Sequence, residues 1–170
     1  MIIFKRRSGD TENWPIYHHK LGNTHYRLLN ATDAAADSNT RFNDTSPTST
    51  VFSVGTSGDT NGGTSPFIAY CFAEKKGYSK FGNYLGTGND GDGPYIFTGF
   101  KPAFVLLMES TSTGSPCLFD SKRAGRNPNN YRVYPNNSNA HDTSEVIFDF
   151  YANGFKIRGD QSDTNAVSYT

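Results

Sequence analysis

The residues closest to a chemical signature are Asn89-Asp90-Gly91-Asp92-Gly93. Carboxylate and amide oxygens on a glycine-rich turn suit a hard cation such as calcium. The spacing does not match an EF-hand loop, and the plainer reading is a solvated turn of Gly, Asn and Asp. Calcium is therefore the one cofactor considered, and none is expected. Tyr84 and Tyr95 flank this loop. An aromatic ring has a flat apolar face and a polar edge, so it can stack on a sugar while nearby Asn and Asp bond the hydroxyls. Tyr84, Asn89, Asp90, Asp92 and Tyr95 are the candidate ligand-binding residues on this reading, with a saccharide as ligand.

The other chemically suggestive residues carry less. Arg158-Gly159-Asp160 matches the integrin-recognition tripeptide, but over three residues, where a strand becomes a turn. His18 and His19 are adjacent, so along a strand they point to opposite faces and do not share a metal. His25 and His141 lie in polar loops without an acidic or cysteine partner at metal-ligand spacing. Cys71 and Cys117 sit in apolar segments and read as small buried hydrophobes. Two cysteines make neither a disulfide scaffold nor a zinc site. No Gly-x-Ser-x-Gly elbow or P-loop occurs. Asp10, Asp33, Asp37, Asp44, Asp59, Asp92, Asp120 and Asp149 are scattered through the loops. Nothing singles out the facing carboxylate pair of a glycosidase. No catalytic or metal-binding residue is assigned, and an enzyme is not expected.

These residues must be held by strands. The chain has 170 residues, zero formal net charge, 13 Phe and 10 Tyr, yet only 35% hydrophobic residues. The remainder is dense in Gly, Ser, Thr, Asn and Asp, which suits many short strands joined by turns. Zero net charge gives no electrostatic case for nucleic acid or an anionic membrane. No stretch is long enough to span a bilayer. The short run Met1–Phe4 meets Lys5-Arg6-Arg7 at once, the reverse of a signal peptide.

The order of the strands reads as a duplication. Ile2-Ile3-Phe4, Trp14-Pro15-Ile16-Tyr17, Lys20 and Tyr26-Arg27-Leu28 lead to Val51–Gly55 and a polar turn. Phe104–Leu107, Pro116-Cys117-Leu118-Phe119, Lys122 and Tyr131-Arg132-Val133 lead to Gly154–Gly159 and another polar turn. The offset stays near roughly 103 residues, which is one unit copied rather than a solenoid repeat. After the first turn comes Pro66–Ala73, the strongest strand candidate. After the second the sequence reaches Tyr169-Thr170, so the second copy is expected to lack its last strand. An unpaired edge is normally covered. Phe67, Ile68, Ala69, Tyr70, Cys71 and Phe72 are therefore the candidate assembly edge.

Strands are also expected at Ile2–Lys5, Trp14–His18, Tyr26–Leu29, Val51–Val54, Tyr78–Leu85, Tyr95–Phe100 and Ala103–Met108. Further ones are expected at Leu118–Asp120, Tyr131–Tyr134, Val146–Phe150 and Phe155–Arg158. Ala31–Asp37 is a possible helical turn. Asn153-Gly154 is read as the turn of a hairpin. The whole predicts an all-β, antiparallel β-sandwich of jelly-roll or lectin-like type built from a duplicated unit.

Several stretches taken together have a family likeness. They are Ala69–Ala73, Gly77–Gly88, Asp92–Ala103, Leu118–Asp120, Pro135–Ser138 and Asn153–Arg158. In this order they resemble an uncharacterised domain family, often in tandem, of tailed-phage virion structural proteins, many of them marine. The resemblance covers most of the chain. It implies a β-sandwich module in a tail fibre, tailspike or capsid-decorating protein, and it implies no catalytic residues. A family unit starts at the Tyr-x-Gly-x-Gly segment, here Tyr84–Gly88. Residues 1–76 are then the later part of one unit, and 77–170 a unit without its last strand. The family has Trp near Pro116 and this chain does not, so no shared aromatic platform is implied there.

The expected role is a non-enzymatic virion subunit that assembles through sheet edges, by backbone pairing whose register alternate side chains set. Its expected partners are itself, as a homo-oligomer with a trimer favoured, and other virion proteins. The alternative is a carbohydrate-binding module that attaches to a host surface glycan. No nucleic-acid or membrane partner is expected.

Overall fold

The structure is a computed structural model that describes residues 1–9, 11–145 and 147–165. Contacts divide the chain into two units, Met1–Ala73 and Glu74–Thr170. Both are built of antiparallel strands with a few single helical turns, an all-β architecture. No helix among the described residues is long and apolar enough to cross a membrane.

Unit 1 contains β1 (Ile2–Arg6), β2 (Pro15–Tyr17), β3 (His25–Leu28), β4 (Ala36–Asp37), the turns α1 (Asn39–Phe42) and α2 (Gly58–Asn61), and β5 (Phe67–Cys71). They form one sheet in the order β4-β3-β2-β1-β5. Alternation puts Ile2 and Phe4 on one face, where they meet Tyr17 and Phe42 in the buried cluster. The rings of Phe4 and Tyr17 lie 5.7 and 5.5 Å from that of Phe42. Phe42 arrives on α1, which ends at Asn43 with φ 53. Asn tolerates this left-handed conformation better than most residues. Arg41 of α1 stacks over the Tyr26 ring at 3.6 Å and pairs with the buried Asp59 of α2 at 2.7 Å.

Unit 2 contains β6 (Tyr95–Phe97), β7 (Phe104–Leu107), β8 (Cys117–Asp120), β9 (Phe148–Tyr151), β10 (Gly154–Ile157) and the turn α3 (Ser162–Asn165). β6-β10-β9 form one sheet and β7-β8 a hairpin. Single bridges join Leu118 to Val133, Arg132 to Asp142 and Asn129 to Phe148. The core is larger than in unit 1 and rich in phenylalanine. Phe148 stacks on Phe119 at 4.5 Å and on Phe155 at 4.8 Å, among Val105, Leu107, Ile147, Phe150 and Ile157.

The first ladders of the two units run in the same order. β1 pairs with β2, β2 with β3, and β3 with β4; β7 pairs with β8, Leu118 of β8 with Val133, and Arg132 with Asp142. The sequence match of Arg27 with Arg132 is off by one. Arg27 faces Ile16 of β2, whereas Val133 is the residue facing β8 and Arg132 pairs outward with Asp142. A slip of one residue changes the face a side chain joins, and the ladder rather than residue type sets it.

Other expectations change as well. Val51–Val54 is not a strand: Thr48 Oγ1 accepts the Val51 N–H at 3.1 Å, and Phe52 lies edge-on to Phe4 at 5.5 Å. The run serves as a lid on the unit 1 core. Tyr78–Leu85 forms no strand beyond a bridge between Lys75 and Ser79, and Tyr78 and Leu85 are exposed. Tyr131–Tyr134 supplies only bridges. No helical turn forms at Ala31–Asp37; β4 and then α1 follow instead. Cys117 is buried as expected, but Cys71 is exposed because β5 lies at the sheet edge. His18 and His19 fall after the end of β2, so their rings sit together at 5.0 Å rather than on opposite faces. The expectations at Asp10, Val146, Tyr169 and Thr170 fall outside the described residues.

Candidate functional site

The five candidate ligand residues are not one site. Tyr84 is an anchor: its ring packs against the unit 2 core and its hydroxyl donates to the Thr164 carbonyl at 2.6 Å. Burial pushes its phenol well above the usual range. Asn89 is exposed and contributes its backbone carbonyl, which accepts from Asn165 Nδ2 at 3.2 Å. Asp90 is exposed, and the Asp92 side chain is 86% exposed with Lys156 Nζ 4.0 Å away. Among the described residues no three His, Cys, Asp or Glu side chains gather to hold a metal ion.

What shapes the loop is Asn165, which is fully buried. Its Oδ1 accepts from the Thr87 N–H at 2.8 Å, its Nδ2 donates to the Gly159 carbonyl at 2.7 Å, and its own carbonyl accepts from Gly88 at 2.7 Å. A buried amide satisfied on both sides fixes three chain segments at once. The corresponding Asn61 of unit 1 is exposed and makes the matching bond on one side, Nδ2 donating to the Gly55 carbonyl at 2.9 Å. Both belong to a repeated pattern that residue-by-residue reading missed. Gly55 precedes Asp59-Thr60-Asn61 at the spacing at which Gly159 precedes Asp163-Thr164-Asn165. The paired Asp-Thr-Asn triplets were the available signal.

Tyr95 belongs elsewhere. In the β6-β10-β9 sheet, Tyr95, Lys156 and Asp149 are directly opposite one another, and so are Phe97, Gly154 and Tyr151. Opposed residues share a face. The intervening row, Ile96, Phe155 and Phe150, points into the core. The outer face therefore carries three exposed rings: Tyr95 at 46%, Phe97 at 57% and Tyr151 at 40%. The Tyr95 and Tyr151 rings meet edge to face at 5.7 Å. Gly154 is part of β10 rather than of a turn, and the hairpin closes over Ala152-Asn153. A Cβ on Gly154 would run into the Ile96 carbonyl and the Tyr95 ring, so only glycine lets that ring lie across the strand.

Polar groups frame these rings. The Tyr95 hydroxyl donates to Asn153 Oδ1. The buried Asp149 carboxylate accepts from the Tyr151 hydroxyl at 3.3 Å and pairs with Arg158 Nε at 3.4 Å. Lys80 Nζ lies 5.5 Å from the Phe97 ring and donates to its carbonyl at 2.9 Å. Arg158, the first residue of the integrin-like tripeptide, is thus tied to the sheet, and Gly159 is buried.

The candidate assembly edge is at the margin of its sheet. β5 pairs with β1 from Ile2↔Cys71 to Arg6↔Phe67, and Ile68, Tyr70 and Phe72 are exposed along one face. The matching place in unit 2 differs. Ser121 N–H donates to the Ala103 carbonyl at 2.9 Å, so by alternation Val105 and Leu107 bond to β8 while Phe104 and Leu106 point their N–H and C=O groups away. In unit 1 the groups on that side of β1 are bonded to β5. Among the described residues no strand pairs with this side of β7.

The remaining polar cluster is structural. Arg132 pairs with Asp142 at 2.7 Å and lies over the Tyr134 ring at 4.9 Å. Bonds from Ser144 and then from Arg132 hold the Asp142 carboxyl well below the usual range. Burial pushes the neighbouring Cys117 thiol up to about 12, which leaves it unreactive.

With the geometry in place, the sequence relationship is clear. The chain belongs to the family described as Domain of unknown function (DUF7483), which matches residues 1–170. No curated protein and no solved structure matches the chain.

Proposed function

We propose that this chain is a non-enzymatic structural module of a phage virion, a capsid-decorating, fibre or tail-appendage subunit that assembles through its sheet edges. Each unit is read as a small sandwich of lectin-like or jelly-roll type, with the Phe119–Phe148 stack joining the layers of unit 2. The observation that carries the assembly reading is the side of β7 at Phe104 and Leu106. The duplicate unit fills the same side of its first strand with β5. An open row of backbone donors and acceptors is a template for another strand. A strand with the pattern of Phe67–Cys71 from another copy is the proposed occupant, in a symmetric oligomer such as a trimer. The virion setting rests on the family likeness of the ordered motifs from Ala69 to Arg158.

Native mass spectrometry, with the denatured mass of the same sample, tests this. The expected result is a complex of several copies that Leu106→Pro reduces to a folded monomer. Proline at that position removes an outward N–H and leaves the β7–β8 bonds alone. A monomeric parent chain, or an oligomer indifferent to the substitution, contradicts it.

A further inference from the structure

We propose that the outer face of the β6-β10-β9 sheet binds a neutral pyranose sugar. Phe97, Gly154 and Tyr151 form one row across the sheet, and Tyr95 leans over Gly154 toward Tyr151. The result is one face with three exposed rings, of which Tyr95 and Tyr151 meet edge to face. A flat ring with a polar edge is the group that stacks on the C–H face of a sugar ring.

The polar surroundings separate a sugar from a purely apolar partner. Asn153 sits beside the Tyr95 hydroxyl, and Arg158 and Lys156 stand at the Asp149 end. These are amide, guanidinium and ammonium groups placed at the margin of the rings, where a stacked sugar projects its hydroxyls. Asp149 is buried and holds both Tyr151 and Arg158, so it acts as a positioning residue. Groups fixed on strands by such contacts lose little freedom when they bind.

Charge selects a neutral ligand. Asp149 is paired with Arg158 and Asp92 faces Lys156, and Lys80, bonded to the Phe97 carbonyl, adds one ammonium beside the rings, so the face is close to neutral. An acidic glycan or a nucleic acid gains little from one ammonium that the Phe97 carbonyl already holds, and a sugar without charge has none to desolvate. This inference is independent of the β7 edge and stands whether the chain assembles or not.

Saturation-transfer NMR with methyl β-D-galactopyranoside, methyl α-D-mannopyranoside, maltose and cellobiose tests it, with 3′-sialyllactose as the acidic comparison. At least one neutral sugar is expected to receive saturation on its C–H face, from aromatic protons. Tyr151→Ala and Tyr95→Ala are each expected to weaken that sugar about tenfold or more. Tyr78→Ala, at an exposed tyrosine outside the sheet, is expected to change nothing. Amide spectra of the Tyr151→Ala and Tyr95→Ala variants establish that the sheet is intact where binding is lost. No transfer to any neutral sugar overturns the proposal. So does binding that survives both ring substitutions, or a preference for the sialylated ligand.

Discussion

Unit 1 and unit 2 share a meander and close it differently. In unit 1 the chain leaves the Asp-Thr-Asn turn and returns to β1 as β5, so the first strand is paired on both sides. In unit 2 the first strand, β7, is paired on one side among the described residues. Unit 1 buries a small cluster of Ile2, Phe4, Tyr17 and Phe42; unit 2 buries a larger one with three stacked phenylalanines. Unit 1 ties its turn with an ion pair, Arg41–Asp59, and unit 2 with a buried amide, Asn165. The comparison teaches that two units can pair their strands in the same order while the groups that lock each unit differ. It also marks the side of β7 with which no strand pairs among the described residues.

The largest expected effect is on the unit 2 core. Phe148→Ala removes a fully buried ring stacked on two others and should cost about 3–5 kcal/mol. Phe4→Ala in the smaller cluster of unit 1 should lie near the low end, about 3 kcal/mol. Denaturant titration gives both values, and thiol labelling of buried Cys117 assigns the loss to unit 2. Equal losses spread over both units would break the comparison.

The two turn asparagines come next. Asn165→Ala strands the Thr87 N–H and the Gly159 carbonyl and should cost about 2–3 kcal/mol. Asn61→Ala removes an exposed bond to Gly55 and should cost less than about 1 kcal/mol. Thermal unfolding of the two variants ranks them; a reversed order would mean that the motif carries its weight in unit 1.

The smallest effect concerns acid. Asp142 has a folded pKa below its unfolded value, so its contribution is complete above the unfolded pKa of about 4 and is lost as pH falls toward the folded one. Asp142→Asn should lower stability modestly at neutral pH, with the difference closing as pH falls toward the folded pKa, and so flatten the acid limb of a stability-against-pH curve. An unchanged acid limb would show that Asp142 is not a source of acid sensitivity.

Much of this fold was legible in the sequence because alternating apolar runs mark half-buried strands. Ile2–Phe4, Phe104–Leu107 and Phe148–Phe150 lie where that pattern puts them. Val51–Val54 and Tyr78–Leu85 were misread because an apolar run can be a lid or an exposed loop as well as a strand, and only pairing partners tell them apart. Cys71 was misread for the opposite reason: an apolar strand at a sheet margin exposes what a central strand buries. The loop residues Asn89, Asp90 and Asp92 drew attention by type, yet the organising residue is Asn165, distant in sequence. The three-ring face was hidden because it depends on the register that sets Tyr95 opposite Lys156 and Phe97 opposite Gly154. Composition and spacing do not contain that register.

Hydrogen exchange at β7, read amide by amide in the monomer and in the assembled form, tests the central claim most directly. In the monomer, the Val105 and Leu107 amides should be protected by β8 while those of Phe104 and Leu106 exchange quickly; on assembly all four should be protected. Protection of Phe104 and Leu106 in the monomer, or their continued fast exchange in the assembly, would contradict strand addition at this edge.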